Sequence, residues 1–136
     1  RITWVDPEDA DGPLEGLVDV CEKLMSELNQ KAMLGLRRLE LQLAHYAAPN
    51  RGYDRHLDAF PRRDNRRVTA TFYLNQEWRS EDGGAMRLFV DGEYIDISPE
   101  AGRMVVFLST EVEHRVLPTE RDRAALTAWY RGPSML

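Results

Sequence analysis

Residues 68–75 read Val-Thr-Ala-Thr-Phe-Tyr-Leu-Asn, and apolar and polar side chains alternate along them. Because successive side chains of a β-strand point to opposite faces, this stretch predicts a strand with one apolar face. The other face carries Thr69, Thr71, Tyr73 and Asn75. That polar face either meets water or lines a pocket for a polar small molecule.

Further β-rich runs follow the same period on both sides of this strand. They lie at 39–44, 86–90, 94–97, 104–108, 114–117 and 124–129, and Gly83-Gly84, Asp91-Gly92, Pro99 and Gly102 mark turns between them. In the last run, Arg123, Ala125, Thr127 and Trp129 share one face, a plausible pocket wall.

One amphipathic helix precedes the strands and is predicted over about 13–29. Pro13 suits its first turn, and apolar residues recur at three- and four-residue steps at Leu14, Leu17, Val18, Cys21, Leu24, Met25 and Leu28. Many short strands after a single helix predict a mainly β fold, an antiparallel sandwich or a jelly roll, with its core over about 38–131.

The length of 136 residues fits one domain, which we expect to span 1–136. No apolar run approaches the roughly 18 residues of a membrane span, so we expect no membrane contact and a cytoplasmic location. The single cysteine, Cys21, lies in the apolar stripe of the helix and is predicted to be buried. The net charge of −5 disfavours nucleic acid as a partner.

Six arginines are crowded into one short segment of this acidic chain. They are Arg51, Arg55, Arg62, Arg63, Arg66 and Arg67. Such a cluster either forms a solvated loop or meets an acidic partner, and both interpretations stay open.

The tripeptide His56-Leu57-Asp58 places an imidazole and a carboxylate two residues apart. In an extended segment both point the same way and reach one metal ion together. His114, on a later predicted strand, is the candidate third ligand. Two histidines and one carboxylate leave other positions of the metal open, as in non-haem Fe(II) oxygenases. Alone, a His-x-Asp pattern arises often by chance, so its surroundings matter.

Arg123 follows His114 by nine residues, at the start of the last predicted strand. A guanidinium is suited to holding a carboxylate through two parallel hydrogen bonds. A cosubstrate anchored there by one end can reach the iron with its other end. 2-Oxoglutarate has that shape, with a carboxylate at one end and a 2-oxo acid at the other.

At this point the sequence resembles the prolyl 4-hydroxylases of the 2-oxoglutarate oxygenase superfamily, most closely the hypoxia-sensing branch and its bacterial relatives. The resemblance runs from Ile2-Thr3-Trp4 to Tyr130. Its motifs are Tyr46, Gly52 to Asp58, Val68-Thr69, Phe72 to Asn75, Trp78, Gly83 to Phe89, His114-Arg115-Val116, and Arg123 with Thr127 to Tyr130.

The resemblance implies a double-stranded β-helix (jelly roll) in which His56, Asp58 and His114 bind Fe(II). It further implies that Arg123, with Tyr73 and Thr127, binds the far carboxylate of 2-oxoglutarate, and that Tyr46 lies near its chelating end. Trp129 matches a position beside the iron and the substrate proline, and Tyr53, Arg66 and Met86 match positions near the substrate entrance or cosubstrate pocket.

Structural alternatives remain for three of these residues. Tyr53 and Tyr73 are alternatively core aromatics, and Arg66 is alternatively a solvated charge. The segment between Asp58 and Val68 is one residue longer than in the animal enzymes, which also leaves Arg67 as a second candidate for the position of Arg66.

The implied activity is hydroxylation of a proline in a protein or peptide, with dioxygen consumed, 2-oxoglutarate decarboxylated to succinate, and ascorbate as a candidate reductant. Related halogenases have a small residue in place of the aspartate, so Asp58 favours hydroxylation. Two alternatives remain open. One is the same chemistry on a free amino acid, a small metabolite or a nucleic acid, and the other is a non-catalytic jelly-roll sensor.

Overall fold

Nine antiparallel strands and one long helix are found in residues 1–133, the part of the chain that the computed structural model describes. The last three residues of the predicted 1–136 domain lie outside that range. The elements are β1 (Ile2–Val5), α1 (Pro13–Ala32), β2 (Arg38–Tyr46), β3 (Tyr53–His56), β4 (Arg66–Tyr73), β5 (Met86–Val90), β6 (Glu93–Ile97), β7 (Met104–Leu108), β8 (Glu113–Val116) and β9 (Arg123–Arg131), with short 3₁₀ turns at Pro7–Asp9 and Ser80–Asp82.

The strands form two sheets, and the chain repeatedly passes from one to the other. The larger sheet has the order β1-β2-β9-β4-β7, and the smaller sheet has the order β3-β8-β5-β6. From β2 to β9 each strand lies in the opposite sheet from its predecessor, except in the β5–β6 hairpin. This is the predicted jelly roll.

The outer face of the larger sheet packs against α1. Val18 and Cys21 of the helix are buried among side chains of the central strands, including Val68, Leu126 and Tyr130. Full burial of each large apolar side chain contributes about 1.5–3 kcal/mol, so this layer stabilises the strands that carry the cavity on their other face. Cys21 is fully buried, as predicted.

The helix ends at Ala32, three residues later than the apolar stripe indicates. Asn29 lies inside the helix, and its side chain donates to the carbonyl of Leu36 at 2.9 Å and accepts from the Leu36 amide at 2.7 Å. These bonds fix the returning chain beside the last turn. The left-handed conformation of Met33, with φ of 51°, then stops the helix.

A second apolar cluster is formed by side chains of both sheets. It contains Tyr73, Met86, Leu88, Val105, Phe107 and Ala125. Met86 and Ala125 of this cluster also line a cavity between the sheets. None of the helices within residues 1–133 combines the length and apolar character that a membrane span needs.

Candidate metal and cosubstrate site

Pairing of β3 with β8 brings two histidines directly opposite each other. His56 and His114 are register partners, and their ring centres lie 4.3 Å apart. Asp58 follows the end of β3, and its Oδ1 lies 3.3 Å from the Nε2 of each histidine. The candidate ligand atoms all lie within 4.8 Å of one another, which is a spacing that one metal ion can bridge.

Backbone carbonyls orient both imidazoles. The Nδ1 of His56 lies 2.6 Å from the carbonyl oxygen of Asp54, and the Nδ1 of His114 lies 3.2 Å from that of Val112. Because a carbonyl oxygen only accepts hydrogen bonds, each Nδ1 carries the proton. The Nε2 atoms therefore turn their lone pairs toward the shared centre, as metal-binding histidines do.

The two oxygens of Asp58 have different partners. Oδ1 faces the histidines, whereas Oδ2 accepts hydrogen bonds from Thr69 Oγ1 at 2.8 Å and Trp129 Nε1 at 3.2 Å. Burial alone would raise the pKa of this carboxyl, but its hydrogen bonds to His114, His56 and Thr69 hold it well below its usual range. Asp58 is therefore a carboxylate with one oxygen fixed by the protein and one directed at the metal position.

The same contacts influence protonation of His56. The pKa of His56 is raised chiefly by its hydrogen bond to Asp58, while burial opposes the rise. The protonated form of His56 carries a second proton at Nε2, which a bound metal would have to displace. The affinity of the site for a metal would therefore fall as the pH is lowered.

A buried cation lies in the same cavity. Arg123, at the start of β9, is only 2% exposed, and within residues 1–133 no carboxylate pairs with it. Its Nε donates to the Gly84 carbonyl at 2.8 Å. Its Nη2 and the hydroxyl of Tyr73 are buried and have no hydrogen-bond partner among the described residues.

Buried donors of this kind are costly unless a ligand accepts from them. The guanidinium carbon of Arg123 lies 5.2 Å from the ring centre of Tyr73 and 5.8 Å from that of Tyr46. Burial raises the pKa of Tyr73 to about 12, although the charge of Arg123 opposes the rise, so its hydroxyl stays a donor. The residues present therefore fit the carboxylate end of 2-oxoglutarate.

One cavity of about 370 Å³ contains both centres. The three candidate metal ligands and Arg123 line it, together with Tyr46, Tyr53, Arg66, Met86, Thr127 and Trp129. Tyr73 lies behind Arg123 in the apolar cluster between the sheets. The structure thus brings together all the site residues predicted from the sequence.

The structure also decides between the alternative interpretations. Tyr53 is 54% exposed at the rim, where its ring packs edge-on against His56, so it is not a core aromatic. Tyr73 is buried and contacts Arg123, so it belongs both to the core and to the site. Arg66 stacks on Trp129 and lines the cavity, whereas Arg67 is exposed. The two threonines of the polar face of β4, Thr69 and Thr71, line the cavity and do not meet water.

Sequence reasoning assigned no role to several residues of the site. The sequence places Thr69 on a polar face and in a motif, and Gly84 in a turn and a motif, but indicates no role for either. Ile2, Trp4 and Gln42 also line the cavity, and the Trp4 ring lies 5.8 Å from that of Trp129. The alternation of Ile2 and Trp4 is a signal for β1, but four residues are too few to predict a strand by period alone.

Residues 41–131 match the model of the 2OG-Fe(II) oxygenase superfamily. The chain is 32% identical to Egl nine homolog 1 of Homo sapiens over 139 residues, which cover 96% of this chain and 32% of that protein. For the same protein of Rattus norvegicus the covered share is 40%, so the chain spans less than half of these relatives.

Two solved structures share the fold closely. A prolyl-4-hydroxylase from Pseudomonas putida superposes with a TM-score of 0.92 and 42% identity, covering 98% of this chain and 72% of that one. A prolyl hydroxylase from Trichoplax adhaerens, solved in complex with a hypoxia inducible factor oxygen degradation domain peptide fragment, gives a TM-score of 0.86 and 31% identity, covering 96% of this chain and 61% of that one.

Proposed function

The chain belongs to the 2OG-Fe(II) oxygenase superfamily, and from this premise we propose that it hydroxylates a proline in a protein or peptide. One observation carries the proposal. A cluster of two histidines and one aspartate shares its cavity with a buried arginine that has no acidic partner among residues 1–133. The similarity to prolyl hydroxylases of animals and of Pseudomonas putida supports the choice of substrate.

In this proposal each side chain has a defined task. His56, Asp58 and His114 would hold Fe(II). Arg123 and the Tyr73 hydroxyl donate to the far carboxylate of 2-oxoglutarate, and Thr127 and Tyr46 complete its walls. Bound together, Fe(II) and 2-oxoglutarate supply the oxidation that consumes dioxygen, releases succinate and carbon dioxide, and places one oxygen atom on a C–H bond.

The remaining residues of the cavity would receive the substrate. Trp129 donates its indole proton to Asp58 and presents its ring to the cavity, so it lies next to the metal position. Arg66, Tyr53 and Met86 line the same opening. These side chains exclude water from the reacting atoms and orient the proline, and ascorbate is proposed as the reductant that keeps the iron ferrous.

Turnover with defined substrates tests this function. The protein is incubated with Fe(II), 2-oxoglutarate and proline-containing peptides, and both succinate and a peptide mass gain of one oxygen atom are measured. Free proline is run in parallel to separate a peptide substrate from an amino acid. Tight binding of 2-oxoglutarate without succinate formation from any substrate would contradict the proposal and favour a sensor.

A further inference from the structure

The carboxylate of Glu40 forms ion pairs with two arginines, Arg66 and Arg131. Glu40 lies on β2 beside Trp129, its register partner on β9. Its Oε1 accepts from Arg131 Nε at 2.8 Å and lies 3.6 Å from Arg66 Nε. All three side chains are less than a third exposed, so this contact is screened less by water than a surface ion pair.

Arg66 depends on this carboxylate for its position. Its guanidinium carbon lies 4.1 Å from the ring centre of Trp129, and one amino group approaches the Asp58 carbonyl at 3.5 Å. Its Nε is buried and has no hydrogen-bond partner among residues 1–133. Stacking of a guanidinium on an indole is favourable, and the Glu40 carboxylate is the only acidic group among residues 1–133 that pairs with Arg66.

Loss of the Glu40 charge would move Arg66 and not Arg131. Both guanidiniums face the same oxygen, so without it they face each other as like charges. Arg131 keeps a second anchor, because its Nη1 donates to Asn65 Oδ1 at 2.6 Å. Among residues 1–133 Arg66 has only the longer contact from Nη1 to the Asp58 carbonyl, at 3.5 Å, and would turn away from the indole.

We propose that Glu40 is a positioning residue, which holds Arg66 on the face of Trp129 and thereby shapes the side of the cavity mouth that receives the peptide. The inference rests on the proposed function, since it concerns how a peptide substrate is held. Glu40 itself does not line the cavity and acts through Arg66.

A double-mutant cycle tests this role by steady-state kinetics. The variants are Glu40→Gln, Arg66→Ala and the two combined, assayed with a proline-containing peptide that the wild type converts. Glu40→Gln should raise the peptide KM about tenfold and leave the 2-oxoglutarate KM unchanged. In the Arg66→Ala background it should add no further change. An equal effect in both backgrounds, or an unchanged peptide KM, would overturn the proposal.

Asp96→Asn is the matched control. It breaks the ion pair between Arg87 and Asp96 on the outer face of the smaller sheet, away from the cavity. The peptide KM should stay at the wild-type value. A rise like that of Glu40→Gln would mean that loss of any ion pair has the same effect, which also overturns the proposal.

A readout without turnover separates this inference from the proposed function. Tryptophan fluorescence of the metal-free protein should change in Glu40→Gln and in Arg66→Ala, and the combined variant should match Arg66→Ala alone. Trp129→Phe identifies the contribution of Trp129. If the wild type converts no peptide, the proposed function fails, while the fluorescence cycle still decides whether Glu40 positions Arg66. Additive fluorescence changes would contradict it.

Discussion

Arg123 is the residue on which cosubstrate binding depends most directly. It is a buried cation without an acidic partner among the described residues, and its Nη2 has no hydrogen-bond acceptor there. Arg123→Ala would leave the far carboxylate of 2-oxoglutarate in a buried site without its cation, at a cost of roughly 3–5 kcal/mol. We expect the 2-oxoglutarate Kd to rise by about two orders of magnitude or more.

Calorimetric titration with 2-oxoglutarate measures this change. Arg121→Ala is the control, because Arg121 lies two residues away but pairs with Asp82 and with the carbonyls of Gln76 and Glu77. Its Kd should match the wild type. An unchanged Kd in Arg123→Ala would remove Arg123 as the anchor.

Thr69 is expected to control the metal through Asp58. Its hydroxyl donates to Oδ2 and also contacts Ser109 Oγ at 2.8 Å, with both residues buried. Thr69→Val keeps the shape but leaves Oδ2 with one partner fewer, and losses of this kind weaken metal binding about tenfold or more. Thr69→Ser keeps the hydroxyl and should retain most of the affinity. Metal titration of both variants checks this expectation. Equal Kd values for Thr69→Val and Thr69→Ser would contradict it.

For single residues, the metal ligands were predictable, whereas the hydrogen bonds that Thr69 and Trp129 donate to Asp58 were not. His56 and Asp58 are close in sequence, so their spacing carries information about a shared direction. Thr69 and Trp129 reach Asp58 from 11 and 71 residues away. Such contacts depend on strand register and on the approach of two sheets, which no local pattern contains.

Gly84, in the turn before β5, leaves room for the side chain of Arg123 because it has no side chain of its own. Gly84 has a φ of +68°, and a Cβ there would lie 3.1 Å from both Arg123 Cδ and a ring carbon of Trp78. Gly84→Ala would therefore push Arg123 out of line, and we expect the 2-oxoglutarate Kd to rise. Gly92→Ala, in the β5–β6 hairpin, also has a positive φ of +79° but meets nothing within 4 Å.

This pair separates strain from displacement. Both variants should lose thermal stability because alanine is strained at positive φ, but only Gly84→Ala should bind 2-oxoglutarate more weakly. Equal affinities would show that Arg123 adapts to the added methyl group.

The contact between α1 and β9 makes stability sensitive to alkaline pH. Burial raises the pKa of the Cys21 thiol to about 11, although its hydrogen bond to Tyr130 opposes the rise. The folded-state pKa lies above the ordinary value of 9.0, so folding favours the protonated thiol. The stability that the buried neutral thiol contributes is complete below pH 9 and is lost as the pH rises toward 11.

The melting temperature of Cys21→Ala should therefore vary less with pH than that of the wild type over this interval. Its value at neutral pH will be lower, because a buried sulfur is removed. Parallel slopes for the two proteins between pH 9 and 11 would contradict the assignment.

Most strands were predicted from the sequence, including the four- and five-residue strands β5 to β8, but β1 and β3 were not. The alternation in β4 and β9 predicted both strands and assigned their side chains to two faces. It left open whether the polar face of β4 meets water or lines a pocket. β3 has only four residues, of which two are charged, and it gains its structure from pairing with β8. His56 closes β3 while Asp58 lies in the following bend, so the extended geometry expected for the whole tripeptide holds only in part.

For the molecule as a whole, ligand binding should raise thermal stability. A ligand that binds only the folded state stabilises it by about 2.7 kcal/mol at a concentration of 100 times its Kd. We expect Mn(II), used as a redox-stable substitute for Fe(II), to raise the melting temperature, and 2-oxoglutarate to raise it further. Differential scanning fluorimetry measures both shifts.

His114→Ala separates metal binding from unspecific stabilisation. An open metal site is rarely the sole support of a core, so this variant should fold, lose the shift caused by Mn(II) and form no succinate. A full Mn(II) shift or normal turnover in this variant would refute His114 as a ligand.

The two halves of the site belong to different sheets, and this division has a mechanical consequence. His56 and His114 are carried by the smaller sheet, whereas Arg123 is carried by the larger one. A small molecule that binds the histidine side and Arg123 at the same time would link the two sheets. Opening motions that separate the two sheets should then become rarer. Amide protons of strands far from the cavity should therefore exchange with solvent more slowly.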